Sequence, residues 1–177
     1  ARLAGAAIEL VTVEAFPEAM EKFKAGECDL VTTDGSGLVG NRAKEGALND
    51  WAIFPASPIS KEPLGPVYRS NDSQWADIIN WTVYATFIAD EYGVGRANVD
   101  SFDYDANPEM GRLMGKNDGE LQTVMGLSAD AFYNVIKQVG NYDEIYSKNL
   151  NPVGLYREGS ANAPWTEGGL IYAPPAR

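Results

Sequence analysis

The stretch CDLVTTDGSGL, residues 28–38, decides the fold prediction. Residues 29–33 include a valine and two threonines and predict a short strand. A Gly-Ser-Gly turn follows Asp34, and residues 38–47 then predict a helix capped by Ser36. Ligand crevices in open α/β sheets form at the carboxyl ends of strands, so Asp34 is a candidate partner for a ligand ammonium group. The alternative is a turn residue whose side chain binds its own backbone.

The sequence around this stretch alternates between strand and helix patterns. A strand over 8–13 and a helix over 16–25 precede it, and a strand over 51–54 follows it. The alternation favours a parallel sheet covered by helices, because parallel strands need crossover connections. Four prolines then disfavour helix and central strand. Residues 55–69, with a return strand at 67–69, therefore predict a crossing between two lobes.

The first segment after this crossing is typical of a long helix. Asn71 and Gln74 form a capping-box pattern ahead of a mostly apolar helix over 75–92. Its large aromatic side chains have the spacing of core residues rather than of a stacking surface. The expected core aromatics are Trp75, Trp81 and Tyr84.

Three shorter helices are predicted further along the chain. One begins at Asn107 with a proline at its first position, and a second is capped by Ser128. The apolar side chains of the second recur at helical spacing, at Phe132, Val135, Ile136 and Val139. Asn141 and Glu144 form another box-like start for a helix that runs to about residue 149. The C-terminal part is therefore predicted to be helical, with an irregular tail.

Composition excludes several classes of function. The 25 acidic and 14 basic residues give a formal charge of −11, which repels phosphate backbones and disfavours a nucleic-acid partner. The chain has no histidine, so it lacks the commonest general base and the commonest metal ligand. No apolar run approaches the roughly 20 residues that cross a bilayer. We expect no metal and no cofactor.

The glycines after Asp34 have the spacing G-x-G-x-x-G, which occurs in nucleotide-binding loops. No lysine follows as a P-loop requires. The nearest later acidic residue at suitable range, Glu62, lies among prolines rather than at the end of a second strand. We therefore interpret Gly35, Gly37 and Gly40 as turn residues, and not as a dinucleotide site.

Four separated motifs cover nearly the whole chain in order: CDLVTTDGSGL (28–38), ISKEPLGP (59–66), VGNYDEI (139–145) and WTEGGLIYAPP (165–175). Together they resemble the solute-binding proteins of polar amino-acid ABC transporters, specifically the general L-amino-acid-binding branch. The resemblance implies a type II periplasmic-binding-protein-like fold of class α/β, in which two lobes close around a ligand without chemistry. Residues 1–54 then belong to the second, ligand-binding lobe, and residues 70–177 to a helical C-terminal part of the first lobe.

The resemblance also implies a set of site residues and partners. Asp34 receives the α-ammonium group of an L-amino acid, Thr33 and Ser36 lie beside it, and Lys61 lies near the cleft mouth. The protein is expected in the periplasm, with its signal peptide removed, where it delivers its ligand to the membrane subunits of an ABC transporter.

The front of the chain departs from the family pattern. Residues 1–7 are typical of the tail of a helix that begins earlier, and the first-lobe residues that grip the ligand carboxylate have no counterpart here. We expect a missing N-terminal segment, or a second copy of the chain, to cover the apolar helix face. The single cysteine, Cys28, is predicted to form a disulfide with a cysteine in that absent region, because oxidising compartments favour such bridges.

Two rival functions remain open at the level of sequence. A cell-wall lytic enzyme of related fold would need a carboxylic acid with a raised pKa in the cleft, and Glu62 is the first candidate for it. A ligand-sensing receptor domain would bind the same ligand and pass the signal to an attached domain. We favour the transport receptor, which is not an enzyme.

Overall fold

The computed structural model describes residues 7–47, 50–55, 58–60 and 63–176. Its contacts divide the chain into two compact units, Ala1–Lys61 (unit 1) and Glu62–Arg177 (unit 2). The division falls within the predicted crossing at 55–69. The assignment of the units to lobes stays a prediction.

Unit 1 contains two described helices, α1 (Phe16–Lys24) and α2 (Gly35–Lys44). The prediction of α1 is confirmed, since Pro17 lies in its first turn and Gly26, with a φ of +74°, follows its end. Met20 is the buried residue of α1. Phe23 also lies on α1, and its ring meets the ring of Trp51, further along the chain, edge-on with 5.1 Å between the centroids.

Helix α2 begins three residues earlier than predicted, and its cap is a different residue. Asp34, and not Ser36, is the N-cap, because its side chain accepts a hydrogen bond from the backbone N–H of Gly37. A carboxylate is as good a cap as a hydroxyl and also interacts favourably with the positive end of the helix dipole. The turn and the helix start are therefore one structural element.

The predicted strands are wrong for the described residues: 8–13, 29–33, 51–54 and 67–69 are not part of any strand. The one β feature in the described ranges is an isolated parallel bridge between Pro164 and Ile171. A strand exists only when a partner satisfies its backbone N–H and C=O groups. Within the described ranges these segments pair with no other strand, and several of their apolar side chains stay exposed, as at Val67, which is 97% exposed. The described residues are helical, and the predicted two-lobed α/β fold is not seen in them.

Unit 2 is built from five described α-helices and two 3-10 turns. The α-helices are α3 (Ser73–Glu91), α4 (Pro108–Leu113), α5 (Leu121–Val124), α6 (Ala131–Gln138) and α7 (Tyr142–Leu150). The 3-10 turns are Asn151–Val153 and Trp165–Glu167. Helix α3 packs against α6 and α7. The helical C-terminal part predicted from the sequence is confirmed by these elements.

The start of α3 differs from the predicted capping box. Asp72 is the N-cap and accepts from the backbone N–H of Trp75 at 3.0 Å. Asn71 has a φ of +67°, and the Gln74 side chain instead donates to the carbonyl of Met125. A box pattern needs both reciprocal bonds, and here a neighbouring carboxylate competes successfully for the helix end.

The core of unit 2 forms where α3, α4 and α6 meet. Phe132 and Ile136 on α6 are buried as predicted, whereas Val135 is half-buried and Val139 is 55% exposed. Ser128 is not the cap of α6, whose N-cap position is Asp130. The fully buried side chains around them include Val94, Val99, Met110, Leu113 and Met114.

Two of the three predicted core aromatics pack against this core. Trp81 and Tyr84 are partly buried against it and meet edge-on at 5.8 Å between ring centroids. Trp75 is 49% exposed, so its prediction as a core residue is wrong. It lies in the first turn of α3.

The capping box at the start of α7 is confirmed. The Asn141 side chain accepts from the backbone N–H of Glu144, and the Glu144 carboxylate accepts from the backbone N–H of Asn141, both at 2.9 Å. Asn141 also donates to the carbonyl of Val94. The box therefore fixes the start of α7 against the loop that follows α3.

A buried arginine ties the C-terminal segment to the helices of unit 2. Arg157 is 7% exposed and forms ion pairs with Asp90 at 2.8 Å and Asp143 at 3.0 Å. Its guanidinium lies 4.9 Å from the ring centroid of Tyr142 and donates through Nε to the carbonyl of Asn162. One side chain thus joins α3, α7 and the segment that leads to the tail.

Candidate functional site

The candidate site is the turn at the start of α2, which holds the Asp34 carboxylate. Oδ2 of Asp34 accepts from the backbone N–H of Gly37 at 2.8 Å and from the hydroxyl of Ser36. Oδ1 accepts a single long hydrogen bond, at 3.4 Å, from the hydroxyl of Thr33. The three residues predicted for this site, Thr33, Asp34 and Ser36, are therefore brought together around one carboxylate.

These hydrogen bonds keep the carboxylate ionised. They lower the pKa of Asp34 below its ordinary value of 3.8, with the Ser36 hydroxyl as the largest cause and the Gly37 N–H as the next. Both donors stabilise the charged form, and the half-exposed side chain undergoes little opposing desolvation. Asp34 thus presents a full negative charge at neutral pH.

The two oxygens of this carboxylate have different capacities. Oδ2 is occupied by two good donors, which fix the orientation of the group. Oδ1 has lone-pair sites left beyond its weak bond to Thr33. A ligand N–H at Oδ1 would gain a charge-assisted hydrogen bond without displacing the N-cap bond to Gly37. The cap geometry and a ligand-binding role are therefore compatible.

The sequence predicts Gly37 only as a turn residue, but the structure also shows a steric reason for a glycine at this position. A Cβ atom at this position would lie 2.8 Å from Oδ1 of Asp34 and 3.2 Å from Cγ2 of Thr33. The first distance is shorter than real Cβ contacts allow, so any side chain would push the carboxylate aside. The corresponding feature of the sequence is the glycine three residues after Asp34.

The sequence also points to Lys61, Glu62 and Cys28. Lys61 and Glu62 lie outside the described residues, so their roles stay predictions. Cys28 is half-buried and is a free cysteine in this chain. Its predicted disulfide with a cysteine elsewhere stays a prediction.

Metal binding and membrane crossing have no support in the described part of the chain. Within that part, no group of three or more cysteine, aspartate or glutamate side chains converges as a metal site would require. None of the helices described there combines the length and the apolar character of a membrane span.

Comparison with known proteins gives a consistent result. No family model matches the sequence. The chain is 43% identical over 171 residues to the general L-amino acid-binding periplasmic protein AapJ of Rhizobium johnstonii, and this match covers 94% of the chain. It is 44% identical over 164 residues to the glutamate/glutamine/aspartate/asparagine-binding protein BztA of Rhodobacter capsulatus. The chain is a homologue of periplasmic amino-acid-binding proteins of ABC transporters.

A solved structure supports the same family. An ABC transporter periplasmic binding protein from Brucella ovis, with glutathione bound, matches 94% of the chain with a TM-score of 0.86 and 40% identity. The helical arrangement described above therefore occurs within a periplasmic-binding-protein fold. The family predicted from the four motifs is confirmed.

The homology covers part of each relative. The chain spans about half the length of the relatives that it matches, 49% of AapJ, 47% of BztA and 52% of the Brucella ovis chain. The ligand and the partners of the whole protein are therefore matters of proposal.

Proposed function

We propose that this chain belongs to a periplasmic solute-binding receptor, which captures L-amino acids and delivers them to the membrane subunits of an ABC transporter. The observation that carries the proposal is the Asp34 carboxylate, which is oriented through Oδ2 and has acceptor capacity at Oδ1. Homology to amino-acid-binding proteins supports the assignment of an ammonium group as its partner.

The names of the relatives narrow the class of ligand. One relative binds L-amino acids in general, one binds glutamate, glutamine, aspartate and asparagine, and one structure contains glutathione. The shared chemical unit is a free α-ammonium beside a free α-carboxylate, which glutathione carries on its γ-glutamyl residue. We infer that the ligand of this protein is recognised through its α-ammonium and α-carboxylate groups, whatever its side chain is.

Each predicted site residue then has a distinct role. Asp34 accepts the α-ammonium, Ser36 holds Oδ2 in place, and Thr33 yields its long bond to Oδ1 when the ligand arrives. Lys61 lies outside the described residues, and its location near the cleft mouth stays a prediction. No covalent step is required of these residues, so we propose a protein that releases its ligand unchanged and is not an enzyme.

The replacement Asp34→Asn tests the proposal in the intact protein. It keeps an oxygen that can cap α2 but removes the charge, so affinity for L-glutamate, measured by calorimetry, should fall by about thirtyfold or more. N-acetyl-L-glutamate, which lacks the ammonium, should not bind. Because the pKa of Asp34 lies below 3.8, wild-type binding should persist as the pH falls from neutral to about 5.

Asp29→Asn is the matched control, because Asp29 is an exposed carboxylate on the same segment. It should leave affinity unchanged. Equal losses in the two variants would assign the effect to overall charge, and unchanged binding in Asp34→Asn would remove Asp34 from the site.

Exposed apolar side chains in unit 1 support a covering partner. Leu10, Leu30 and Phe54 are all more than half exposed. We propose that an N-terminal segment of the same protein, or a second copy of the chain, covers them. Light scattering that shows the 177-residue chain as a well-behaved lone monomer would contradict this.

A further inference from the structure

Unit 2 contains a cleft whose lining includes none of the residues of the Asp34 turn. It has a volume of about 220 Å³ and lies between the end of α3, the helix α4, the turn Trp165–Glu167 and the tail around residues 172–175. A volume of this order holds several water molecules or a small organic group. The amino-acid site proposed above does not use it.

Aromatic rings form much of the wall of this cleft. Trp165 and Tyr172 lie with their ring centroids 6.1 Å apart and nearly perpendicular, and Tyr92 lines the same cleft. Trp165 and Tyr172 are both more than half exposed, and the buried side chain of Ile88 also lines the cleft. Exposed aromatic faces attract cations because the ring quadrupole is negative above and below the plane.

Two carboxylates complete the lining. Glu91 accepts from the indole N–H of Trp165 at 3.0 Å, and Glu109 accepts from the hydroxyl of Tyr92 at 3.0 Å and from the backbone N–H of Ala176 at 3.0 Å. These bonds use part of the acceptor capacity of each carboxylate. No lysine or arginine lines the cleft, and within the described residues neither glutamate forms an ion pair.

The cleft is therefore negative without a compensating charge in its lining. Burial raises the pKa of Glu91, the hydrogen bond from Trp165 partly offsets this, and the nearby carboxylates of Asp90 and Glu109 raise the pKa further. An anion is excluded by this charge. A metal ion lacks a converging set of three ligands among the described residues. An organic cation matches both features, since it interacts with aromatic faces and with carboxylates together.

We propose that this cleft binds a small organic cation, an alkylammonium or guanidinium compound, against the rings of Trp165 and Tyr172 and the carboxylates of Glu91 and Glu109. The ammonium or guanidinium donates to the carboxylates, and its methylene groups pack on the rings and on Ile88. The proposed cation site and the proposed amino-acid site share no residue, and they lie in different units.

The test is a titration of the intact, ¹⁵N-labelled protein with n-butylammonium chloride and with ethylguanidinium chloride. The reporter is the indole N–H resonance of Trp165, assigned by its loss in Trp165→Phe. We expect a saturable shift that weakens as ionic strength rises. 1-Butanol, which has the same chain length and number of heavy atoms as butylammonium without the charge, should give no saturable shift.

Glu91→Gln and Glu109→Gln should each weaken cation binding by about threefold. Glu158→Gln is the matched control, because it removes an exposed carboxylate of unit 2 outside the cleft and should leave binding unchanged. The absence of a saturable Trp165 shift would overturn the proposal, as would an equal response to 1-butanol. Equal weakening in Glu91→Gln and Glu158→Gln would also overturn it. Asp34→Asn should not affect this titration, so failure here is distinguishable from failure of the amino-acid site.

Discussion

The two units of this chain differ in how far they bury their own apolar side chains. Among the described residues, unit 1 buries Met20, Val39 and Ala47, while its extended segments expose Ile8, Leu30 and other large apolar side chains. Unit 2 encloses a continuous core of helices around Phe132. Helices satisfy their backbone hydrogen bonds within themselves, whereas strands need a partner from elsewhere. The comparison indicates that unit 2 has a core of its own, whereas the described residues of unit 1 bury few of their apolar side chains.

Amide hydrogen exchange on the 177-residue chain tests this comparison most directly. The backbone amides in the middle of α3 should exchange more than about a thousandfold slower than those of residues 29–33, because the helix opens only with its core. Mass spectrometry of peptic fragments resolves the two regions. Similar protection in both would show that unit 1 is structured without a partner and would break the comparison.

Among single substitutions, one that opens a cavity in the core of unit 2 should have the largest effect on the free energy of unfolding. Phe132 is 1% exposed, so Phe132→Ala should lower the free energy of unfolding by about 3–5 kcal/mol in urea denaturation. Val139→Ala is the control for the end of the same helix and should change it by no more than about 0.5 kcal/mol, since Val139 is 55% exposed. Comparable effects of the two would place the core elsewhere.

The buried guanidinium of Arg157 is expected to contribute slightly less to the free energy of unfolding than the side chain of Phe132. Arg157→Met keeps most of the side-chain volume but leaves Asp90 without its charged partner, and should cost about 3 kcal/mol of unfolding free energy. Arg96→Met, at an exposed arginine of the same unit, serves as the reference and should be close to neutral. A neutral Arg157→Met would mean that water replaces the ion pair at no cost.

The smallest predicted effect concerns the binding turn of unit 1. Gly37→Ala places a methyl group against Asp34 and should weaken amino-acid binding about tenfold, equivalent to weakening one hydrogen bond to a charged group. Gly40→Ala, on the same helix with no atom within 4 Å of the added Cβ, should leave affinity unchanged. If both variants bound equally well, the carboxylate would not need its present position.

The helices could be predicted from sequence because their signals are local. The proline and glycine that bound α1, and the reciprocal pair Asn141 and Glu144, lie within a few residues of the backbone groups that they satisfy. Errors arose where two local caps compete, as at Asp34 with Ser36 and at Asp72 with Asn71. At both positions the carboxylate next to the helix is the cap in the structure.

The strands could not be predicted from sequence in the same way. The alternating residues of 8–13 have a strand pattern, but pairing depends on a second segment that a local pattern does not specify. For the candidate site, Asp34 was predicted from its place after a strand-like segment and before a glycine turn. Oδ2 of Asp34 accepts two good hydrogen bonds and Oδ1 accepts one long bond. This difference depends on the positions of Thr33, Ser36 and Gly37 in space, which residue spacing does not predict.

The position of Arg157 has a consequence for the order of assembly. Its guanidinium completes its contacts only when α3, α7 and the segment after α7 are all present, because each supplies a different partner. During synthesis from the N-terminus, the carboxylate of Asp90 emerges long before that guanidinium exists and must stay hydrated until then. The final docking of the C-terminal segment is therefore the event that seals this charge from water.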